Sequence, residues 1–231
     1  MGIAELANTI MHAVSDPNLQ EIASDIGDKA IEKYTVNTPL EGVEGVGLSA
    51  KVVDYIINVR QQSFFLKISR FLFQLDDISE SKRLEFRKQL EENPKYRQRV
   101  GEVIILTLEK ADRLEKADIT GIVMKAMINR KVESSMGLRL ISIVDRAFLD
   151  DLVWLHIFIE RDSITNNGNI LEAYVCEHLF VLGLISFGGI NGGDFSGDSG
   201  GNIYNLTSAG RAMLDIVFKE KLMQVMASDL Q

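Results

Sequence analysis

The C-terminal third constrains this chain most. An apolar segment, "NILEAYVCEHLFVLG", runs into "LISF", then a glycine-rich stretch, "GGINGGDFSGDSGG", then "NIYNLTSAGRAMLDIVF". Two short apolar runs on either side of a glycine-rich loop predict a hairpin, its first strand starting at Leu184 and its second ending near Leu206. Thr207 then reads as the N-cap of a closing helix. Helix, hairpin and helix in that order predict a winged-helix-like C-terminal domain. A DNA-reading helix needs Arg, Lys, Asn or Gln on its exposed face. The apolar segment offers Asn169, Glu172, Glu177 and His178, with no Lys or Arg, and the loop adds Asp194 and Asp198. Over 161–231 there are 4 Lys+Arg against 8 Asp+Glu, a net of −4. Sequence-specific DNA binding is therefore disfavoured through this module, and protein docking or dimerisation is expected.

Upstream the chain reads as helix after helix. Residues 3–14 and about 18–34 are short amphipathic helices, the second carrying Ile22, Ile26, Ala30 and Tyr34 at steps of four, with Asp16 and Pro17 at its start. "NTPLEGVEGVGLSA" breaks the pattern and reads as a linker. Ser49 caps a helix reaching Leu75, and Asn93-Pro94 marks a stop and a restart. Asp118 is read as the start of a separate helix. Ser134 or Ser135 opens a long apolar helix ending at 158–160, expected to be the most covered member of a bundle. The fold class is thus mainly α: N-terminal helices and linker over 1–48, a helical bundle over 49–160, and the winged-helix-like domain over 161–231.

Charge is uneven along the chain. The total is −8, with −6 in 1–48 and +2 in 49–160. The middle block is the one place where an anionic partner meets net attraction. Its cations peak over 82–99, where Lys82, Arg83, Arg87, Lys88, Lys95, Arg97 and Arg99 outnumber Glu85, Glu91 and Glu92. That cluster is a candidate patch for phosphates or an acidic protein face; its plainer reading is a solvated helix surface. The amphipathic stretch 64–75, with Lys67 and Arg70, leaves a membrane-associated effector as a further alternative.

Familiar chemistry is poorly represented. "GDSGG" in 197–201 spells the surroundings of a protease serine, but His12, His156 and His178 stand in no matching context and the strands of two barrels are lacking. Asp194, Ser196 and Asp198 alternate like calcium ligands, yet Ser199 and Asn205 occupy the positions where such a loop needs Gly and Glu. No phosphate-binding GK[ST] loop occurs. One cysteine, Cys176, and three scattered histidines give no zinc spacing. Asp76-Asp77 reads as helix capping and Asp150-Asp151 as the polar edge of a helix. No catalytic residue, metal or cofactor is assigned, so a non-enzymatic protein is expected. A lone Cys176 suits a reducing cytoplasm, and no run of about 20 apolar residues is present.

The middle of the chain also resembles a group of uncharacterised bacterial proteins from phage-related and mobile-element settings. The resemblance covers about 36–215. It rests on a "KI..FL" pattern, here Lys67, Ile68, Phe71 and Leu72, and on "GE...L.L...D..EKA", here Gly101, Glu102, Leu106, Leu108, Asp112, Glu115, Lys116 and Ala117. It implies a cytoplasmic bacterial protein of phage defence or exclusion with a degenerate C-terminal winged helix, and supplies no catalytic residue. Some members are more apolar where this chain has Glu41 and Glu44. Taken together, the sequence predicts a cytoplasmic protein–protein interaction module that self-associates, with a nucleic-acid-binding regulator acting through 82–99 as the alternative.

Overall fold

The computed structural model describes residues 3–35, 62–193 and 200–219. The chain is mainly helical with a small three-stranded antiparallel sheet, and it divides into two compact units, 1–145 and 146–231. The division falls earlier than the expected boundary at 160. The N-terminal helices do not stand apart as a 1–48 segment, because they pack into the first unit.

The first unit runs α1 (Ile3–Val14), α2 (Leu19–Thr35), α3 (Gln62–Phe73), α4 (Glu80–Glu92), α5 (Pro94–Lys110), α6 (Leu114–Ile128) and α7 (Ser134–Arg146). Helix α1 packs on α5, α2 on α3, and α3 on α6. The centre is α6, in which every residue of 116–128 except Lys125 is buried. Its sequence, "KADITGIVMKAMI", is apolar on most sides, which suits a helix with neighbours all round. Gly121 lets α3 approach it, since a β-carbon there would meet Phe71 O and Gln74 Cβ at 2.6 Å.

Two expectations are corrected here. Asp118 does not start a helix; it is buried inside α6, where Arg70 Nε donates to Oδ1 at 2.9 Å and Gln74 Nε2 at 3.3 Å. The long apolar helix from Ser134 also fails to form, and it is not the covered member. Helix α7 stops at Arg146, Ala147 and Phe148 are unwound, and α8 (Leu149–Leu152) leads into a 3₁₀ segment, Val153–Phe158. The break has an electrostatic advantage, for it places Asp150 and Asp151 in the first turn of α8, at the positive end of a helix.

Most other local signals are realised as read. Asn93 ends α4 and caps α5, its side chain accepting from Tyr96 N at 3.1 Å with Pro94 in the first turn. Asp16 accepts from Asn18 N at 2.8 Å, but it and Pro17 stand ahead of α2, which starts at Leu19, so they are not its cap and first turn as expected. The stretch 64–75 faces the core: Phe65, Ile68, Phe71, Leu72 and Leu75 are buried, with α3 packed between α2 and α6. The expected Ser49 cap and the linker at 36–48 lie outside the described residues.

The second unit continues with β1 (Ser163–Asn166), α9 (Ala173–Val181), β2 (Ile185–Asn191), β3 (Gly201–Leu206) and α10 (Ser208–Met213), the last extended by a π-helical turn, Leu214–Phe218. Strand order is β1-β3-β2, antiparallel throughout, with Ile164 opposite Tyr204 and Ile185 opposite Leu206. The register slips between Phe187 and Gly189. The hairpin and the Thr207 cap match the sequence reading; Thr207 Oγ1 accepts from Gly210 N at 3.0 Å. Strand β1 was not foreseen. The turn after α9 requires glycine: Gly183 sits at φ +76°, where its N–H reaches Phe180 O and Leu184 N–H reaches Leu179 O. Between β1 and β2 the described residues hold one helix, α9, where a helix-turn-helix has two.

Candidate functional site: the outward face of α9

The expected basic patch is the first place to look, and the fold scatters it. Arg83 is 7% exposed, its guanidinium donating to Leu75 O (2.6 Å), Asp76 O (3.0 Å) and Ile78 O (3.1 Å). It braces the turn between α3 and α4 and is not offered to a ligand. Lys82 pairs with Glu85 at 3.3 Å. Lys88 enters a groove beside Glu85, Glu92 and Glu133, where carboxylates outnumber cations. On α5, Arg97 and Arg99 project about 160° apart; Arg97 donates to Asn8 at 3.1 Å on the α1 side, and Arg99 lines a groove toward α7. Arg87 and Lys95 stay on the surface, the former half-buried. Seven cations close in sequence therefore do not form one face.

The second unit presents a different feature. Along α9, Val175, Cys176 and Leu179 are buried. The opposite arc, about 120° wide at 100° per residue, carries Ala173, Tyr174, Glu177, Phe180 and Val181, all exposed. Tyr174 is 64% exposed, Phe180 50% and Val181 71%. Two aromatics and a valine thus lie on solvent along one helical face whose single charge is Glu177. The hairpin adds Phe187 and Ile190, 52% and 74% exposed, with Phe187 edge-on to Tyr204.

His178 is held away from this arc. Its Nδ1 lies 2.6 Å from Oδ2 of Asp151, a carboxylate that is itself buried. The Asp150-Asp151 pair therefore divides, one residue outward and one inward. Asp77 likewise accepts from Lys125 at 2.8 Å rather than capping a helix. His156 is half-buried, its Nδ1 2.8 Å from Val153 O and its ring beside Trp154.

Asn166 is the residue that sequence reasoning missed. Buried at the end of β1, it donates to Leu171 O (3.0 Å) and Cys176 Sγ (3.2 Å) and accepts from Leu171 N (3.1 Å) and Gly168 N (3.3 Å). It fixes the loop that delivers the chain to α9. "TNNGN" marks a turn, but nothing local says which asparagine turns inward. Burial pushes the Cys176 thiol above its ordinary pKa, against the opposing bond from Asn166, so it stays protonated and is a poor nucleophile. Among the described residues there is no cluster of three His, Cys, Asp or Glu able to hold a metal, and no helix long and apolar enough to cross a membrane. Asp194, Ser196, Asp198 and Ser199, on which the protease and calcium readings turn, lie outside the described residues.

Comparison with known protein families, with curated proteins and with solved structures found no match.

Proposed function

We propose that the protein is a non-enzymatic protein-docking module that self-associates through the outward face of α9. The observation that carries this reading is the composition of that face: Tyr174, Phe180 and Val181 stand exposed with no Lys or Arg among them. Aromatic and aliphatic side chains of this kind form the desolvated centre of protein interfaces. A phosphate backbone would meet Glu177 in the same place and be repelled. We read the element order β1-α9-β2-β3 as a winged helix reduced to its second helix, a scaffold compatible with docking. The cellular setting, a cytoplasmic role in bacterial phage defence or exclusion, comes from the resemblance alone.

Two-fold pairing of α9 sets Tyr174 near Val181 of the second copy and brings the two Glu177 carboxylates together. Light scattering over a range of concentrations is expected to show oligomers that Tyr174→Ser/Val181→Ser reduces to monomers and that Glu177→Gln strengthens. A monomer at all concentrations would overturn the proposal. So would retention on heparin at about 150 mM salt, which favours the nucleic-acid reading.

A further inference from the structure

In the first unit α5 and α7 run side by side, tied at both ends and open between. At one end Tyr96 Oη and Ser134 Oγ are 2.8 Å apart; at the other Lys110 Nζ lies 3.9 Å from Asp145 Oδ2. The two helices are nevertheless not among the closely packed pairs of the unit, and a groove of about 710 Å³ lies between them. Tyr96, Arg99, Val103, Leu106 and Lys110 follow one another at steps of three and four, so they share one stripe of α5. Ser135, Leu138, Ser142 and Asp145 form the matching stripe of α7, with Arg139 beside it.

The groove has an apolar floor and a cationic rim. Val103, Leu106 and Leu138 are half-buried, open on the groove side. Arg99, Lys110 and Arg139 are exposed above them, and Asp145 is the one carboxylate among the described lining residues. Among the described residues neither Arg99 nor Arg139 meets an anionic partner, whereas Lys110 is held by Asp145. Over 14 residues the stripe is about 21 Å long, four helical turns.

We propose that this groove binds an acidic amphipathic helix of a partner protein. Apolar side chains at i, i+3 or i+4, and i+7 fill the floor, and flanking Asp or Glu residues meet Arg99, Lys110 and Arg139. A nucleic acid would use the rim but has nothing to place on Val103, Leu106 and Leu138, and three cations give it little hold. The site is independent of the α9 face.

The probe is a fluorescent 16-residue peptide with Leu at helical spacing and Glu elsewhere, measured by anisotropy against the full chain. A scrambled peptide of the same composition and a 20-nucleotide single-stranded DNA serve as comparisons. Binding by the patterned peptide is expected, weaker by about tenfold for the scrambled one and for Arg99→Glu/Arg139→Glu, with amide shifts concentrated at Val103, Leu106 and Leu138. The proposal fails if the patterned peptide does not bind at 100 µM, if the scrambled peptide or the DNA binds as tightly, or if charge reversal leaves affinity unchanged. It fails equally if charge reversal instead dissociates oligomers of the protein alone, since the groove then belongs to a second copy.

Discussion

The guanidinium of Arg83 receives its partners from the turn it crosses: the carbonyls of Leu75, Asp76 and Ile78 converge on it where α3 gives way to α4. Burial lowers its pKa and the nearby Asp76, Asp77 and Asp16 pull the other way, so the charge is retained. Arg83→Ala removes the bonds to the carbonyls of Leu75, Asp76 and Ile78 and a long one to Val14 O in a buried site, and is expected to cost about 2–4 kcal/mol. Lys95→Ala, on an exposed side chain, should stay within about 0.5 kcal/mol. Urea unfolding followed by far-UV circular dichroism separates the two. Equal effects would mean that the cluster acts as one surface after all. Cys176 gives a residue-level pH prediction. Its folded pKa lies above the ordinary 9.0 because burial disfavours the thiolate, so its contribution is fully present below pH 9 and is lost as pH rises toward the folded value. Wild type should therefore lose stability above pH 9 more steeply than Cys176→Ala, and the native thiol should react with a disulfide reagent far more slowly than the urea-unfolded one.

At the scale of elements, the ends decide more than the middles. Arg130, just past α6, adopts φ +57°, the left-handed conformation that costs a side chain about 1 kcal/mol. Lys131 N–H reaches back to Ala126 O, and Arg130 N–H to Met127 O, the pattern for which helices ordinarily use glycine. Arg130→Gly is expected to raise stability by about 0.5 kcal/mol after loss of the exposed pair with Glu85, which is itself worth little. A fall of the thermal midpoint would show that this ion pair outweighs the backbone strain. The loop ahead of α9 depends instead on one side chain. Asn166→Ala removes four bonds at a buried corner and should destabilise the second unit by about 2–3 kcal/mol. Trp154, the sole tryptophan, lies in that unit and reports the change by fluorescence.

At the scale of the whole molecule, acidity is the dominant property. With a net charge of −8 at pH 7 and a sequence pI near 5.0, repulsion opposes non-specific aggregation at neutral pH, beyond the pairing of α9 faces, and fades as carboxylates protonate. Turbidity should accordingly peak near pH 5 and fall on either side. A flat profile from pH 4 to 8 would mean that exposed apolar faces, not net charge, govern association.

What the chain specifies alone is written within a helical turn of each signal. Asn93-Pro94, the "LG" before Leu184 and Thr207 each act on backbone groups three or four residues away, so the start of α5, the end of α9 and the start of α10 could be read directly. The hairpin was legible for the same reason: its two strands flank one glycine-rich loop. Strand β1 was not, because four residues become a strand only when β3 supplies the hydrogen bonds. Nor could the helix expected from Ser134 be seen to break at Ala147, where Asp151 turns to His178, a partner 27 residues away. The candidate sites divide in the same way. That α9 lacks cations is a fact of sequence, whereas Tyr174 and Val181 facing solvent while Val175 and Leu179 face inward depends on what packs against the helix. Arg83, Arg97 and Arg99 are neighbours along the chain and go to three different surroundings, because helical geometry sends side chains about 100° apart per residue and only tertiary packing decides whether each direction holds carbonyls, a neighbouring helix or water.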